Sequence, residues 1–313
     1  MYRLLPAHAV ERVDVLEGDE LAIAQSVLYA SLFDYPLTLA QLRQTLIERV
    51  LTPSQIRAAY ERSAALRATV DYREGFFFPS GRSDLIAERR RREARSRRFL
   101  KQHRLLLALV CAMPYVRMAA LSGSIAHLNL EGGGDLDLFI VTRGRRVWSV
   151  TVAALLLAKL LRQRRVMCVN FVIADGRLEL DQEDLFTASQ IIHLRPLVGA
   201  DQYRRFVQAN PFVSRYYPNF HPGVPRPSRS AAVLDRAKRS VEVLLTPISA
   251  PLETICRWAY RWYLRRGAGS WQSPDQVRLQ ADCLKLHTQS HRRSILERFD
   301  LTMRLTIGQR ADG

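Results

Sequence analysis

Two short motifs near the middle of the chain carry side chains that could perform phosphate chemistry. Ser122, Gly123 and Ser124 form a turn of small residues, and Asp135 and Asp137 follow in the segment DLDLFIV. Alternate side chains of a strand share a face, so the two carboxylates project to the same side. Carboxylate oxygens bind Mg²⁺, and a turn of small residues lets backbone amides approach phosphates. The spacing therefore predicts a divalent-metal site beside a phosphate-binding turn.

The stretch 115–142 resembles the DNA polymerase beta-like nucleotidyltransferase superfamily, whose signature is a Gly-Ser turn and, roughly ten residues later, Asp-x-Asp. A looser likeness to a bacterial nucleotidyltransferase-domain subgroup extends to residue 210. The resemblance implies that Gly123 and Ser124 hold the phosphates of an NTP. It also implies that Asp135 and Asp137 bind Mg²⁺ or Mn²⁺ and catalyse transfer of an NMP group to a hydroxyl of a nucleic acid, a protein or a small molecule.

One position departs from that family pattern. Members that transfer nucleotides carry a third carboxylate on a later strand, and here the strand-like segment VMCVNFVI has Asn170 in that place. An amide oxygen can bind a metal, but it adds no negative charge and cannot act as a general base. Asn170 is either a weak metal ligand or a structural amide, and Asp175, Glu179 or Asp181 could substitute for the carboxylate. The alternative function is a catalytically impaired protein that acts as a nucleic-acid-binding or regulatory module.

The N-terminal 82 residues have the pattern of a winged helix-turn-helix domain. Helical apolar spacing and threonine N-caps predict helices over 21–32, 38–48 and 52–66, and alternation around Glu74-Gly75 predicts a β-hairpin over 70–78. The stretch Phe33–Thr38 also resembles the winged-helix start that is fused to this nucleotidyltransferase subgroup. Such a domain binds duplex nucleic acid or packs against protein.

Residues 83–112 are predicted to form a basic connector helix that begins at Ser83. Its cations include Arg89, Arg90, Arg91, Arg92 and Arg95. A polybasic helix could guide RNA or DNA to the site, or it could be a solvated connector. The formal net charge of +17, from 47 basic and 30 acidic residues, also favours a polyanionic partner.

The predicted fold class is α+β. Four regions are expected: the winged helix over 1–82, the connector over 83–112, a nucleotidyltransferase-like domain with a mixed β-sheet over 113–222, and a helical C-terminal region over 223–313. A buried helix over 147–161 should link the two central strands. C-terminal helices are expected over 231–245, 252–265 and 276–299, with Trp258 and Trp262 packed against a neighbouring helix. His287 and His291 share helical spacing, for which a surface or packing role is favoured over metal binding.

Cysteine usage and hydropathy bear on the compartment. The four cysteines form no Cys-x-x-Cys pair, which is typical of reduced thiols. No basic-then-apolar leader begins the chain, and the longest apolar stretch is shorter than the ~20 residues needed to span a bilayer. These features predict a cytoplasmic protein without a membrane span.

Overall fold

The computed structural model describes residues 16–223, 229–273, 276–287 and 290–307. Within these ranges the chain forms thirteen α-helices and nine β-strands, arranged around two separate sheets. One sheet has three strands and the other is a mixed sheet of six strands. The predicted α+β class is confirmed.

The three-stranded sheet belongs to the N-terminal part of the chain. Its elements, in chain order, are α1 (Gly18–Ser31), β1 (Leu37–Thr38), α2 (Leu39–Gln44), α3 (Pro53–Arg62), α4 (Ala64–Thr69), β2 (Val70–Arg73) and β3 (Phe76–Pro79). β1 and β2 both pair with β3 in antiparallel register, so the strand order is β1-β3-β2. A core that includes Ile23, Leu42 and Phe77 lies between the helices and this sheet.

Local sequence signals explain where these helices begin. Thr38 and Thr52 each form a capping box with the glutamine three residues later, which satisfies backbone donors of the first turn. The predicted ends are wrong in two places, because α2 ends at Gln44 and the third helix is interrupted at Ser63. Ser63 has an extended backbone, and its Oγ accepts a hydrogen bond from Leu66 N at 3.0 Å, so it begins α4.

The basic connector is two helices rather than one. α5 (Asp84–Gln102) and α6 (Arg104–Ala112) are separated at His103, whose backbone leaves the helical region. Ser83 makes no side-chain capping bond to α5. α5 contacts the N-terminal part through Arg89 and the core of the six-stranded sheet through Phe99 and Leu100, and α6 buries Leu106 and Val110 in that same core.

The six-stranded sheet is built mainly from the middle of the chain. Its elements and their connections are β4 (Val116–Leu121), α7 (Gly123–Ala126), β5 (Leu136–Thr142), α8 (Val147–Leu160), β6 (Met167–Ala174), α9 (Leu185–His193), β7 (Arg195–Val198), α10 (Ala200–Gln208) and α11 (Phe212–Tyr216). The strand order is β7-β4-β5-β6-β9-β8, and only β5 and β6 pair in parallel among the described strands. α8 is the predicted connection between these two parallel strands, and it buries Trp148.

The C-terminal part differs from its prediction as a helical region. A single 38-residue helix, α12 (Arg229–Arg266), replaces the two helices expected there, and Pro247 and Pro251 lie inside it. The predicted helix over 276–299 is wrong. Instead β8 (Val277–Leu279) and β9 (Cys283–Leu286) form a hairpin, and α13 (Arg292–Thr306) follows. The pairing of β9 with β6 outweighs the helical preference that the local apolar spacing indicates. It supplies hydrogen-bond partners to the backbone at the edge of β6, and it buries Leu284.

Two inward-facing carboxylates fasten α12 to the six-stranded sheet. Glu242 accepts hydrogen bonds from Tyr115 N, from both terminal nitrogens of Arg117 and from Arg143. Glu253 accepts from the backbone nitrogens of Trp148 and Ser149 at the start of α8. None of the described helices is both long and apolar enough to cross a membrane.

Candidate metal and nucleotide site

The turn after β4 lies directly beside the start of β5. β4 ends at Leu121, and the backbone nitrogen of Ser122 donates to the carbonyl oxygen of Asp137 at 2.9 Å. The chain then enters the four-residue helix α7 at Gly123 and Ser124. The antiparallel pairing of β4 with β5 therefore brings the two predicted motifs together.

Gly123 is in contact with the carboxylate of Asp137. Its φ is +61°, in the left-handed region that favours glycine, and a Cβ built on it would lie 2.5 Å from Asp137 Oδ2. A side chain at this position would displace the carboxylate. Ser124 follows in the first turn of α7, and its carbonyl oxygen accepts a hydrogen bond from Asn129 N at 2.8 Å.

Three side chains form a cluster of potential metal ligands: Asp135 just before β5, Asp137 on β5 and Cys168 on the parallel strand β6. Asp135, Asp137 and Cys168 each offer one ligand atom, and these atoms lie within 4.8 Å of one another. The register of β5 with β6 places Cys168 opposite Asp137, and Cys168 Sγ donates to Asp135 Oδ2 at 2.8 Å. Sequence reasoning missed Cys168 as a site residue. The sequence pattern that could have indicated Cys168 is its two-residue spacing from Asn170, because side chains two positions apart lie on the same face of a strand.

Asn170 occupies a bulge in β6. Leu138 pairs with Val169 and Phe139 pairs with Phe171, so Asn170 is the extra residue between them. Its Nδ2 donates to Asp137 Oδ1 at 2.6 Å. A bulge lets two consecutive side chains, here Asn170 and Phe171, turn toward the same side of the sheet.

The acidic residues that could have replaced the missing carboxylate have other positions. Asp175 accepts a hydrogen bond from Gly144 N at 2.8 Å. Asp181 forms an ion pair with Arg177. Neither of them, nor Glu179, belongs to the cluster found among the described residues.

Burial and mutual repulsion set the protonation of the cluster. Burial, and then the charge of Asp135, raise the pKa of the Asp137 carboxyl to about 7, although the Asn170 hydrogen bond opposes this shift. Burial also raises the pKa of the Cys168 thiol to about 12, and its hydrogen bond to Asp135 adds to the effect. Cys168 is therefore a protonated donor at neutral pH.

The donor set fits a divalent cation. Two neighbouring carboxylates repel each other, and a bound cation would relieve that repulsion. Asp135, Asp137 and the amide of Asn170 offer oxygen ligands, which Mg²⁺ and Mn²⁺ prefer, whereas a Cys168 thiolate would favour a softer metal. The cluster can hold a metal ion, and these donors leave its identity open.

A cavity of about 130 Å³ has Ser122 of the turn in its wall, and Asp135, Asp137 and Cys168 do not line it. Phe139 and Phe171 line it from the sheet, with ring centroids 5.1 Å apart, and Phe186 lines it from α9. Lys285 Nζ, also in the wall, donates to the amide oxygen of Gln182 at 2.9 Å and to that of Gln276 at 3.5 Å. Burial lowers the pKa of Lys285. No carboxylate of the described residues forms an ion pair with its ammonium group.

Two of the five arginines predicted to contact nucleic acid are buried in the protein. Arg89 donates to Pro36 O at 2.9 Å, and its guanidinium lies 3.7 Å from the ring centroid of Tyr35. Arg92 forms ion pairs with Asp34, Glu88 and Glu131. Both residues are 8% exposed, so the prediction of phosphate contacts is wrong for them. They dock α5 against the N-terminal part instead.

The other three predicted arginines are exposed but have protein partners. Arg90 forms an ion pair with Glu74 of the hairpin, and Arg91 forms one with Glu88. Arg95 donates to the carbonyl oxygen of Leu130 at 3.1 Å. Exposed interactions of this kind contribute little stability, because water competes for the charged groups. A nucleic-acid contact of α5 would therefore involve only Arg90, Arg91 and Arg95 from the predicted set.

Comparisons with protein-family models, with curated proteins and with solved structures found no significant match for this chain.

Proposed function

We propose that the chain is a metal-dependent nucleotidyltransferase that moves an NMP group from an NTP to a hydroxyl acceptor. The contact between Gly123 and the Asp137 carboxylate is the observation that carries this proposal. It joins a glycine turn to two carboxylates, which is the combination expected of a polymerase beta-like site. The parallel β5–β6 pair and its antiparallel neighbours support a unit of that fold.

Each residue of the site has a distinct role in the proposed reaction. The backbone nitrogens of Gly123 and Ser124 hold the triphosphate, while Ser122 N stays bonded to Asp137 O and keeps the turn beside the carboxylate. Asp135 and Asp137 hold Mg²⁺ or Mn²⁺, which when bound stabilises negative charge on the attacking and leaving oxygens. The acceptor hydroxyl gives its proton to water and its oxygen attacks the α-phosphorus, so a new P–O bond forms, the bond between the α-phosphorus and the bridging oxygen breaks, and pyrophosphate leaves.

The cavity beside the turn suits the acceptor. Its aromatic wall of Phe139 and Phe171 would pack against an apolar or planar group, and Lys285 would pair with an anionic substituent. Ser122 belongs both to the cavity wall and to the turn, so a ligand in this cavity would lie next to the phosphates.

The N-terminal part is proposed to be a winged helix. Its support is the order of helices and strands and the β1-β3-β2 sheet, in which β2 and β3 form the wing. Glu74 and Gly75, at the tip of that hairpin, both have positive φ, as a tight two-residue turn requires. A nucleic-acid partner for this unit is supported by the net charge of +17 and by the exposed Arg57 and Arg62 of α3.

One observation favours a second candidate function. Asn170 donates to Asp137 from the place where a third carboxylate is expected, and an amide cannot accept the proton of an attacking hydroxyl. A protein with this substitution could bind a nucleotide and its metal without turnover and act as a regulatory or nucleic-acid-binding module.

The experiment is to incubate the purified full chain with each α-labelled NTP and Mg²⁺ or Mn²⁺, with and without RNA. Transfer of label to protein or RNA, with release of pyrophosphate, is expected for the wild type and not for Asp135→Asn/Asp137→Asn. Asp201→Asn/Asp300→Asn removes two exposed carboxylates outside the site and should retain activity. Nucleotide binding without transfer would support the second candidate. Transfer that survives in the Asp135/Asp137 variant would refute the site assignment.

A further inference from the structure

The outward face of α12 carries a continuous apolar stripe. Its members are separated by three, four or seven residues and therefore lie on one side of the helix: Val241, Leu244, Ile248, Ile255, Trp258 and Trp262. All six are exposed, among them Leu244 at 78%, Ile255 at 62% and Trp258 at 72%. The expectation that the two tryptophans pack against a neighbouring helix is wrong. The stripe extends over roughly 30 Å at the rise of an α-helix.

The charges of α12 are divided between its faces. Glu242 is 1% exposed and Glu253 is 9% exposed, and both point inward, where they bind Arg117 and the start of α8. The exposed charged side chains described on α12 are all cations: Arg236, Arg239, Arg265 and Arg266. Arg257 and Arg261 are half-buried. The guanidinium of Arg266 lies 3.5 Å from the ring centroid of Trp262.

Apolar residues, aromatic residues and cations together match one kind of partner. Tryptophan and tyrosine prefer the boundary between hydrocarbon and water, and arginine pairs with phosphate while its stem covers apolar surface. A second copy of the same face would bring cations against cations, so charge disfavours self-association through this stripe. Pro247 and Pro251, inside the helix, lack the backbone N–H donors of a regular helix.

We infer that α12 is a peripheral binding surface for an anionic lipid bilayer, with its apolar stripe inserted among the acyl chains and its arginines on the lipid phosphates. The helix lies in the plane of the interface, while Glu242 and Glu253 keep it fastened to the protein. The surface is present on the folded protein, because its residues are already exposed on an ordered helix.

The test is flotation of the full chain with vesicles of phosphatidylcholine alone and of phosphatidylcholine mixed with phosphatidylglycerol. Binding to the anionic vesicles is expected to exceed binding to the neutral ones and to weaken as salt is added. Ile255→Glu/Trp258→Glu places two carboxylates on the stripe and should lower the affinity about tenfold or more. Arg265→Gln/Arg266→Gln should lower it about fivefold for each charge removed.

Val50→Glu/Leu301→Glu is the matched control, because these residues are 70% and 56% exposed and lie outside α12. It should bind as the wild type does. Absence of binding to anionic vesicles at low salt would overturn the inference, as would equal binding by the stripe variant and this control. A concentration-dependent dimer that the stripe variant abolishes would show instead that the face joins two copies, and a tight complex with an acidic protein without any lipid binding would assign it to a protein partner.

Discussion

Gly123 and Asp137 are in direct contact, with 2.5 Å between the position of a Cβ on Gly123 and Asp137 Oδ2. They are fourteen positions apart in the sequence, Gly123 at the start of the helix α7 and Asp137 on the strand β5. The contact makes the shape of the turn and the position of the carboxylate depend on each other.

Gly123→Ala should therefore weaken metal binding. The new methyl group would displace the Asp137 carboxylate, and the left-handed φ adds a backbone cost of about 1–2 kcal/mol. Gly144→Ala is the matched control, because Gly144 has a similar φ of +56° but no atom within 4 Å of its Cβ position. Titration with Mn²⁺ should show a loss of affinity for Gly123→Ala alone. Equal Mn²⁺ affinities in the two variants would show that the shape of the turn does not affect the metal site.

Asn170→Asp supplies the third carboxylate that the proposed nucleotidyltransferase activity would use. The new side chain would face Asp137 Oδ1, to which the Asn170 amide now donates. Without a cation the repulsion should lower the free energy of unfolding by about 1–3 kcal/mol, and saturating Mg²⁺ or Mn²⁺ should restore much of it.

The measurement for Asn170→Asp is the thermal unfolding midpoint with and without the metal, compared with that of Asn170→Ala. The alanine variant also loses the hydrogen bond but gains no charge, so its metal-induced shift should not exceed that of the wild type. Identical metal-induced shifts in the two variants would place Asn170 outside the coordination shell.

Arg92 and Arg91 are neighbours with different expected effects. Arg92 is buried but its partners Asp34, Glu88 and Glu131 keep access to water, so Arg92→Ala should lower the free energy of unfolding by about 1–3 kcal/mol through the lost charged hydrogen bonds. Arg91 is exposed beside Glu88, and Arg91→Ala should cost less than about 1 kcal/mol. Urea denaturation of the two variants measures the difference. Similar losses would contradict the structural role assigned to Arg92.

The lowered pKa of the buried His287 should make the stability of the protein depend on pH. Burial, and then the charge of Lys285, lower the pKa of His287 from 6.5 to about 4 in the folded protein. The neutral form of His287 makes its full contribution to the free energy of unfolding above about pH 6.5. That contribution is lost as the pH falls toward 4, because His287 binds a proton in the unfolded chain before it does so in the folded protein.

The free energy of unfolding should fall by up to about 1.4 kcal/mol per pH unit from this group within that window. Burial also lowers the pKa of His127 and of His193, which adds to the same trend. Denaturation of wild type and His287→Leu between pH 7 and pH 5 tests the assignment, with a shallower slope expected for the variant. Parallel slopes would mean that His287 is accessible to protons in the folded state.

Some features of this protein follow from the sequence because the interactions that create them are local. Thr38 and Thr52 begin helices through bonds to residues three positions away, and Glu74-Gly75 makes a turn of its own. The small-residue turn and the Asp135/Asp137 alternation also depend on neighbouring residues alone, so both halves of the candidate site were recognisable. The family and the activity they suggest remain proposals.

Other features depend on contacts between distant parts of the chain. The region 277–286 is a hairpin because β6 offers it an edge, although its local spacing favours a helix. The register of β5 with β6 brings Cys168 to the carboxylates and leaves Asn170 in a bulge. Arg89 and Arg92 are buried by the docking of α5, while the tryptophans of α12 remain exposed. Periodicity shows which residues share a face, but only the tertiary structure decides what covers that face.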